Sequence, residues 1–264
     1  MAQHIAVGAP LAAGPIRAFF EWFGDLGLFF GRVVRSMFSR RFDVGELFRQ
    51  FDHIGAQSVW LVLAAGAAIG VVIALETSNT LVRFGAESSL PALIIVSIIR
   101  ETGPTITGLI VSGRVGAGVS AELGSMKVTE QIDAMEVSGV DPYRYLAATR
   151  ILACALMMPL LTLICDAGGI LMGWVVKTLN HPTSLRLFFD IGLKRVTFND
   201  LVPPTLKTVI FGLIIGTVSC FLGMRVTGGT AGVGRAVTKT VVLSSLFIIL
   251  ADVVLVRFIL VFFP

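Results

Sequence analysis

Long apolar runs separated by short polar segments are the main pattern in this chain. The clearest run covers 54–75 and contains no charged side chain. An α-helix rises about 1.5 Å per residue, so about 20 apolar residues cross the hydrocarbon core of a bilayer. Four further runs are long enough to do the same: 89–112, 151–176, 201–224 and 241–263. Because backbone polar groups cannot stay unpaired in lipid, the pattern predicts five membrane-spanning helices in an all-α, polytopic fold.

Apolar residues also recur at helical spacing ahead of the first run: Ile16, Phe19, Phe20, Phe23, Phe30, Val34 and Met37. Charged residues lie largely between them, which predicts an amphipathic helix in the membrane surface with its phenylalanines toward the lipid. Asp43 and Glu46 have the spacing of a capping box that starts a short helix leading into the first span. We therefore expect one membrane domain over 1–264, with an interfacial elbow at about 15–53 and a transmembrane bundle at about 54–264.

The polar stretch between the second and third runs has a helical pattern of its own. Apolar residues share one face of a predicted helix over 121–136: Leu123, Met126, Ile132 and Met135. Gly139 ends this helix, and Asp141 with Pro142 starts the next one. The pattern leaves two interpretations open. It is either a helix across the cytoplasmic mouth of two spans that transmits a push from a bound partner, or a helix that is re-entrant or only lies on the surface.

Charged residues interrupt the apolar runs at a few positions. A charge at the centre of a spanning helix costs about 2.5–3.5 kcal/mol, so Arg100 and Glu101 should face protein or a wet cavity. Pro104 follows them and should kink the helix. Two roles remain open for the pair, namely structural pairing and direct contact with a substrate. For Asp166 and Asp252 we expect a structural partner, as for other buried charges.

Composition and charge support a membrane protein. Only 14% of the residues are charged and 55% are hydrophobic, whereas a soluble domain carries about 25% charged residues. Lysine and arginine number thirteen in the segments that lie inside if the N-terminus is cytoplasmic, and six in the outer segments. The positive-inside rule therefore predicts a cytoplasmic N-terminus and a C-terminus on the other side. These basic residues form no single stripe, which argues against nucleic acid as a partner.

Catalytic and nucleotide-binding patterns are weak. Cys154, Cys165 and Cys220 stand inside apolar runs without CxxC spacing, so we expect them to be packing residues. The histidines are scattered, and we expect neither a metal site nor a catalytic site. A glycine-rich segment starting at Gly229 approaches a phosphate-binding loop, but Arg235 stands where that loop needs its lysine. We therefore interpret it as a tight turn before the last span, and we place ATP hydrolysis in a separate subunit.

Two segments carry a resemblance to a known family. The string RETGPTITGLIVSGRVGAGVSAELGSMKVTEQIDAMEVSGVDP, residues 100–142, resembles the motif of the MlaE (YrbE) permeases, which pair with MCE-domain proteins in ABC transporters of phospholipids. The string GTAGVGRAVTKTVVLSS, residues 229–245, is similar to the same family. The resemblance implies a homodimer in the bacterial inner membrane with phospholipid as cargo. It also implies three kinds of partner: a cytoplasmic ABC ATPase that holds ATP and Mg, a periplasmic MCE-domain protein and a small STAS-domain protein.

The resemblance also assigns roles to particular positions. It implies a cytoplasmic coupling helix that contacts the ATPase through Ala121, Glu122, Gly124, Met126, Glu130, Gln131 and Asp133. It implies that the first, second and fifth spans of two copies enclose an apolar cavity that opens outward. The predicted lipid path or intramembrane polar residues are Glu76, Leu90, Arg100, Glu101 and Pro104, and for Glu76 an ordinary interfacial position is the other interpretation. No cofactor is expected in this chain.

A second class of function stays open from the residues alone. Buried charges are typical of ion-coupled secondary transporters, so a transporter of this kind with a hydrophobic substrate is the alternative. Such transporters usually contain paired internal repeats, and the sequence shows no convincing repeat. A membrane-embedded hydrolase would need a cluster of His, Cys and carboxylate side chains at ligand spacing, which the sequence does not offer.

Overall fold

The computed structural model describes residues 15–37, 43–180 and 182–262, and these ranges form helices joined by short turns. In chain order the α-helices are α1 (Pro15–Met37), α2 (Val44–Ile54), α3 (Val59–Arg83), α4 (Leu90–Ser97), α5 (Gly103–Val111), α6 (Ala117–Val128), α7 (Gln131–Val137), α8 (Thr149–Asn180), α9 (Leu185–Leu193), α10 (Phe198–Gly223) and α11 (Gly229–Phe262). Wider π-helical turns occur at Ile98–Thr102, Ser112–Gly116 and Tyr143–Ala148.

Within the described ranges, five helical stretches are long and apolar enough to cross a membrane: Val44–Arg83, Glu87–Val128, Tyr143–Leu179, Phe198–Gly223 and Gly229–Phe262. We call them the first to the fifth span. The prediction of an all-α protein with five spans is confirmed. Each predicted apolar run lies largely inside one of these stretches. The runs are helical because a chain in lipid must satisfy its backbone hydrogen bonds within the helix.

The second span is longer than the sequence pattern predicted. A short 3-10 turn at Glu87–Ser89 leads into α4, and α4, α5 and α6 join through two π-turns, so one continuous stretch covers 42 residues. At about 1.5 Å per residue this is about 63 Å, twice the thickness of the hydrocarbon core. The predicted end near 112 is therefore wrong. Val119 and Leu123 are buried in the core, and this packing keeps the polar, glycine-rich segment helical.

The single helix predicted over 121–136 is also wrong. Helix α6 ends at Val128, and Glu130 adopts a left-handed conformation with φ 59° before α7 begins. A non-glycine residue in this region does not continue a right-handed helix. The stretch therefore forms the end of the second span and a separate short helix.

The first and third spans cross with their backbones in very close approach. Gly66 and Gly70 of α3 face the backbone of α8, and a Cβ at either position would collide with the carbonyl oxygen of Cys165 or of Gly169. Small residues at a crossing allow two helix backbones to approach closely, which increases van der Waals contact between membrane helices. This crossing fixes the depth of the first span relative to the third.

The fourth and fifth spans differ in burial. Of the 18 consecutive residues that are most apolar in the fourth span, 67% are buried inside the protein. The corresponding share in the fifth span is 6%. Hydroxyl groups join the fifth span to the second: Ser112 and Ser245 lie 3.3 Å apart, and Thr240 donates to Ser120 at 3.0 Å. The fifth span therefore lies at the edge of the helix bundle and presents a large apolar face outward.

The segment predicted as a turn from Gly229 onward is mostly helical. Gly228 and Gly229 have φ values of 84° and 67°, and α11 begins at Gly229. Gly232 lies so close to the Thr227 carbonyl that a side chain there would collide with it. The turn thus precedes Gly229, and Gly232 allows the first turn of α11 to pack against it.

Helix α1 lies against the ends of the spans near residues 143 and 221. Phe29 is buried and contacts the rings of Tyr143 and Phe221, while Arg225 forms an ion pair with Asp25 at 2.7 Å. Phe20 is exposed, as predicted for a lipid-facing residue. The other predicted lipid-facing side chains divide between half-buried and exposed, and those of Ile16 and Phe19 lie outside what the structure describes.

Helix α2, at the start of the first span, forms only one of the two hydrogen bonds of the predicted capping box. The Asp43 side chain accepts a hydrogen bond from the Glu46 amide at 3.1 Å, which confirms the predicted N-cap. The Glu46 carboxylate does not complete a capping box. It binds Gln50 and Arg49 instead, each at 2.8 Å.

Candidate functional site

Five charged residues of the second, fourth and fifth spans meet, and we call them the charged cluster: Arg100, Glu101, Asp200, Lys207 and Asp252. Lys207 lies at its centre, with its side chain only 1% exposed. Its Nζ donates to Glu101 Oε2 at 2.8 Å and lies 2.9 Å from Asp252 Oδ1. One lysine of the fourth span thus joins the second and fifth spans.

The remaining members of the charged cluster are also paired. Arg100 donates from its guanidinium group to Asp200 Oδ1, and Thr105 Oγ1 donates to Asp252 Oδ2 at 2.8 Å. A second bond holds Asp200, since its Oδ2 accepts from the Thr197 amide at 2.7 Å and caps α10. A charge in this environment is stable only with close partners, because desolvation of an isolated ion costs several kcal/mol.

Local backbone geometry positions Arg100 and Glu101. Both lie on the π-turn Ile98–Thr102, which ends where the Gly103 amide donates to the Ile98 carbonyl. Pro104 has no amide proton to offer the preceding turn, and a π-turn is one way in which a helix accommodates this loss. The kink predicted at Pro104 therefore takes the form of a widened turn, and such turns are frequent at functional sites.

Two neighbouring cavities adjoin the charged cluster. One has a volume of about 260 Å³ and is lined by Arg100, Glu101, Asn199, Pro204, Val256, Ile259 and Leu260. The other has about 280 Å³ between the fourth and fifth spans, with a lining of mostly apolar residues that includes Lys207 and shares Asn199 and Ile259 with the first. Arg100 and Glu101 are about half exposed. Charged groups beside apolar walls form a site that suits an amphiphile, whose polar part can meet the charges and whose apolar part can meet the walls.

The other predicted path residues lie apart from the charged cluster. Glu76 is exposed on α3, and its carbonyl accepts from the Thr80 hydroxyl. Leu90 is only 1% exposed and packs in a core with Ile94 and Phe188. The structure therefore brings together Arg100 and Glu101 beside the buried Pro104, but neither Glu76 nor Leu90.

Sequence reasoning missed Asp200 and misplaced Lys207. Lys207 is one of the six basic residues that the charge count assigns to the outer segments, although it also lies near the start of the run 201–224, and its side chain is buried within α10. A usable signal was present, because residues seven apart lie on one face of a helix and Asp200 and Lys207 have this spacing. Two opposite charges on one face of an apolar helix indicate a buried polar contact rather than a loop.

At the other end of the second span, the predicted coupling residues fall into two groups. Those on α6 contact other helices of the bundle. The Glu122 carboxylate lies 2.7 Å from the guanidinium group of the buried Arg150, and Gly124 leaves room for the Val226 side chain. Ala121 and Met126 are half-buried on the same helix. The second group surrounds α7 and is exposed: Glu130, Gln131 and Asp133.

Helix α7 offers the surface that a partner can reach. Val137 at its end is 91% exposed, and the Asp133 carboxylate binds Lys127 Nζ at 2.6 Å. A single exposed apolar residue is common on protein surfaces, so Val137 alone does not mark a contact surface.

Other chemistry in the described part of the chain is sparse. Cys154, Cys165 and Cys220 are free and buried, as predicted for packing residues. Among the described residues, no group of three or more His, Cys, Asp or Glu side chains is arranged to hold a metal ion.

Comparison with known proteins gives consistent matches over most of the chain. The profile of a family described as Permease MlaE matches residues 47–258. A probable ABC transporter permease protein of Rickettsia typhi is 34% identical over 229 residues, which cover 87% of this chain and 88% of that protein. The intermembrane phospholipid transport system permease protein MlaE of Haemophilus influenzae is 32% identical over 240 residues, 90% of this chain and 91% of that protein. The chloroplastic protein TRIGALACTOSYLDIACYLGLYCEROL 1 of Arabidopsis thaliana is 32% identical over 228 residues, 86% of this chain and 65% of that protein.

Proposed function

This chain belongs to the MlaE permease family, and from that premise we propose that it is the membrane-spanning subunit of an ABC transporter that moves phospholipids. The observation that carries the proposal is the charged cluster beside apolar cavities within the spans. A phospholipid has a charged headgroup and apolar chains, and both halves find matching surroundings there. One relative of similar length is named as a permease for intermembrane phospholipid transport.

Arg100 is the residue that we assign to the headgroup. Its guanidinium has five N–H donors and uses only some of them on Asp200, so donors remain for a phosphate oxygen. Its half-exposed side chain borders the cavity of about 260 Å³. The apolar walls take the acyl chains, since each buried methylene contributes about 0.8 kcal/mol. Glu101 is anchored by Lys207 and fixes the position of the turn that carries Arg100.

The energy for transport comes, in this proposal, from a separate cytoplasmic ATPase that binds ATP and Mg, while this chain itself is not catalytic. The ATPase contacts α7, which is exposed and lies beyond the end of the long second span.

We further propose a homodimer in the bacterial inner membrane, with a periplasmic MCE-domain protein and a small STAS-domain protein as partners. The outward apolar face of the fifth span supports the dimer, because a second copy would cover both that face and the half-exposed charges of Arg100 and Glu101.

Substitution of Val137 tests the ATPase contact. Val137→Asp should reduce the amount of ATPase that co-purifies with the chain by about tenfold or more, because it would bury an unpaired carboxylate in the contact, and a tenfold loss of affinity corresponds to only about 1.4 kcal/mol. The matched control is Leu193→Asp, at an exposed position on α9 beyond the third span. Gel filtration should show both variants folded. Full ATPase recovery with Val137→Asp would contradict the assigned contact.

A labelling experiment tests the proposed orientation. Glu136→Cys and Leu193→Cys place thiols at exposed positions that the third span separates, and the native cysteines are buried. In intact cells, a membrane-impermeant maleimide should label Leu193→Cys and leave Glu136→Cys unlabelled. Inverted membrane vesicles should reverse the result. Labelling of Glu136→Cys in intact cells would place α7 on the wrong side for an ATPase.

A further inference from the structure

The charged cluster contains three carboxylates and two cations, so one negative charge has no cation of its own. The carboxylates belong to Glu101, Asp200 and Asp252, and the cations are Arg100 and Lys207. Among the described residues, no third cation lies within ion-pair distance of these carboxylates. An excess charge within apolar spans is unfavourable unless a counter-charge approaches it. The cluster therefore favours a cationic group at a carboxylate that a ligand can reach.

Glu101 is the carboxylate of the charged cluster that a ligand can reach. Its side chain is 48% exposed and lines the cavity of about 260 Å³. The side chains of Asp200 and Asp252 are only 5% and 14% exposed and do not line that cavity. Lys207 occupies one acceptor position of Glu101, at Oε2, whereas a carboxylate has about four such positions. Acceptor capacity is therefore left for a donor in the cavity.

Arg100 places a positive charge at the same cavity. It precedes Glu101 in the chain, its side chain is 47% exposed, and it lines the cavity together with Glu101. One small cavity thus offers both a cation and a carboxylate to its occupant. An ethanolamine headgroup carries the complementary pair, because a short ethylene linker joins its phosphate to a primary ammonium group.

We propose that this cavity selects zwitterionic phospholipids over anionic ones, with the phosphate at Arg100 and a primary ammonium at Glu101. The inference rests on the function proposed above and adds the class of lipid to it. A phosphatidylglycerol headgroup would place a second negative charge beside the excess charge of the cluster, and like charges repel strongly where water is scarce. An ammonium group instead donates a charge-assisted hydrogen bond to the carboxylate. Repulsion of one headgroup and attraction of the other together give specificity.

Photoreactive lipids test the selection on the full-length chain in vesicles of equal amounts of phosphatidylethanolamine and phosphatidylglycerol. The probes are trace amounts of phosphatidylethanolamine, phosphatidylglycerol and N-acetyl phosphatidylethanolamine, each with the same diazirine on an acyl chain. Mass spectrometry counts adducts on 256–260, which contribute to the cavity lining, relative to 156–163 on α8, which do not. Phosphatidylethanolamine should label the cavity segment about tenfold above phosphatidylglycerol, as expected for one charge-assisted hydrogen bond. The N-acetyl lipid should label like phosphatidylglycerol, because acetylation removes the positive charge.

Substitutions of Glu101 test the role of its charge. Glu101→Gln should bring the ratio of the two natural lipids to about one, and the fold should persist because Lys207 keeps its ion pair with Asp252. Glu101→Asp retains the charge and should retain the preference. The matched control is Asp190→Asn, which removes the same charge at an exposed position of α9 outside the cavity lining and should leave the ratio unchanged. Gel filtration of each variant reports whether the chain is folded.

The outcomes separate this inference from the proposed transport function. Equal labelling of the cavity segment by the three lipids, or an unchanged preference in Glu101→Gln, would overturn the ammonium assignment and leave the transport function standing. A preference that Asp190→Asn also loses would assign the selection to the net charge of the chain rather than to Glu101. Labelling of the cavity segment no stronger than that of 156–163 by any of the lipids would remove the lipid site, and the proposed function with it.

Discussion

Lys207→Met is expected to abolish lipid transport and to lower the thermal stability of the purified protein. The lysine is the common partner of Glu101 and Asp252, and its side chain is almost fully buried. Removal of one member of a buried ion pair leaves an uncompensated charge and costs about 3–5 kcal/mol. The fifth span would also lose a link to the fourth. Transport is measured as lipid transfer by reconstituted vesicles, and stability as the midpoint of thermal unfolding.

A triple variant separates stability from transport. Adding Glu101→Gln and Asp252→Asn to Lys207→Met removes the unpaired charges, so the unfolding midpoint should recover while transport stays lost. Lys239→Met, at an exposed position on the same helix as Asp252, should leave both quantities unchanged. Wild-type transport by Lys207→Met would exclude a role for the charged cluster in the lipid path.

Gly70→Leu is expected to eliminate most of the folded protein. A side chain at this position collides with the backbone of Gly169 in α8, and a rotamer change cannot relieve a clash that begins at Cβ. The two spans would have to separate along the whole crossing, which removes contact well beyond residue 70. Overpacking in a rigid core costs about 1–3 kcal/mol or more. The measurement is the yield of monodisperse protein in gel filtration of detergent-solubilised membranes.

Ala68→Leu is the matched control for that substitution. Ala68 lies two residues away on the same helix and is exposed, so a larger side chain there meets lipid rather than backbone. Its yield should equal that of the wild type. A normal yield of Gly70→Leu would show that the first and third spans do not need this close crossing.

In the proposed mechanism, the second span transmits a movement of α7, the ATPase surface, to the lipid site. The second span runs from Glu87 to Val128 and carries Arg100 and Glu101 on its first π-turn. A displacement of α7 reaches that turn through packed helix, with the second π-turn at Ser112–Gly116 on the way. Interruptions of this kind are places where a helix can change its bend without losing the hydrogen bonds on either side.

The sequence alone determined the number of spans and their helical form. Both depend on local properties, since a run of about 20 apolar residues must form a helix in lipid wherever it stands. The motif of 100–142 was also sufficient to predict the family that the comparison confirms. The charge interruption at Arg100 and Glu101 marked the region of the site for the same local reason, the high cost of a charge in lipid.

Only the tertiary structure decided how the parts of the site meet. Glu101 and Lys207 are 106 positions apart, and their contact depends on the depth and rotation of two helices rather than on any local pattern. The length of the second span was also a tertiary outcome, because buried contacts of Val119 and Leu123 hold a polar segment in helix. Hydropathy reports how well a segment suits lipid, but the partner of a buried charge is set by packing between distant segments.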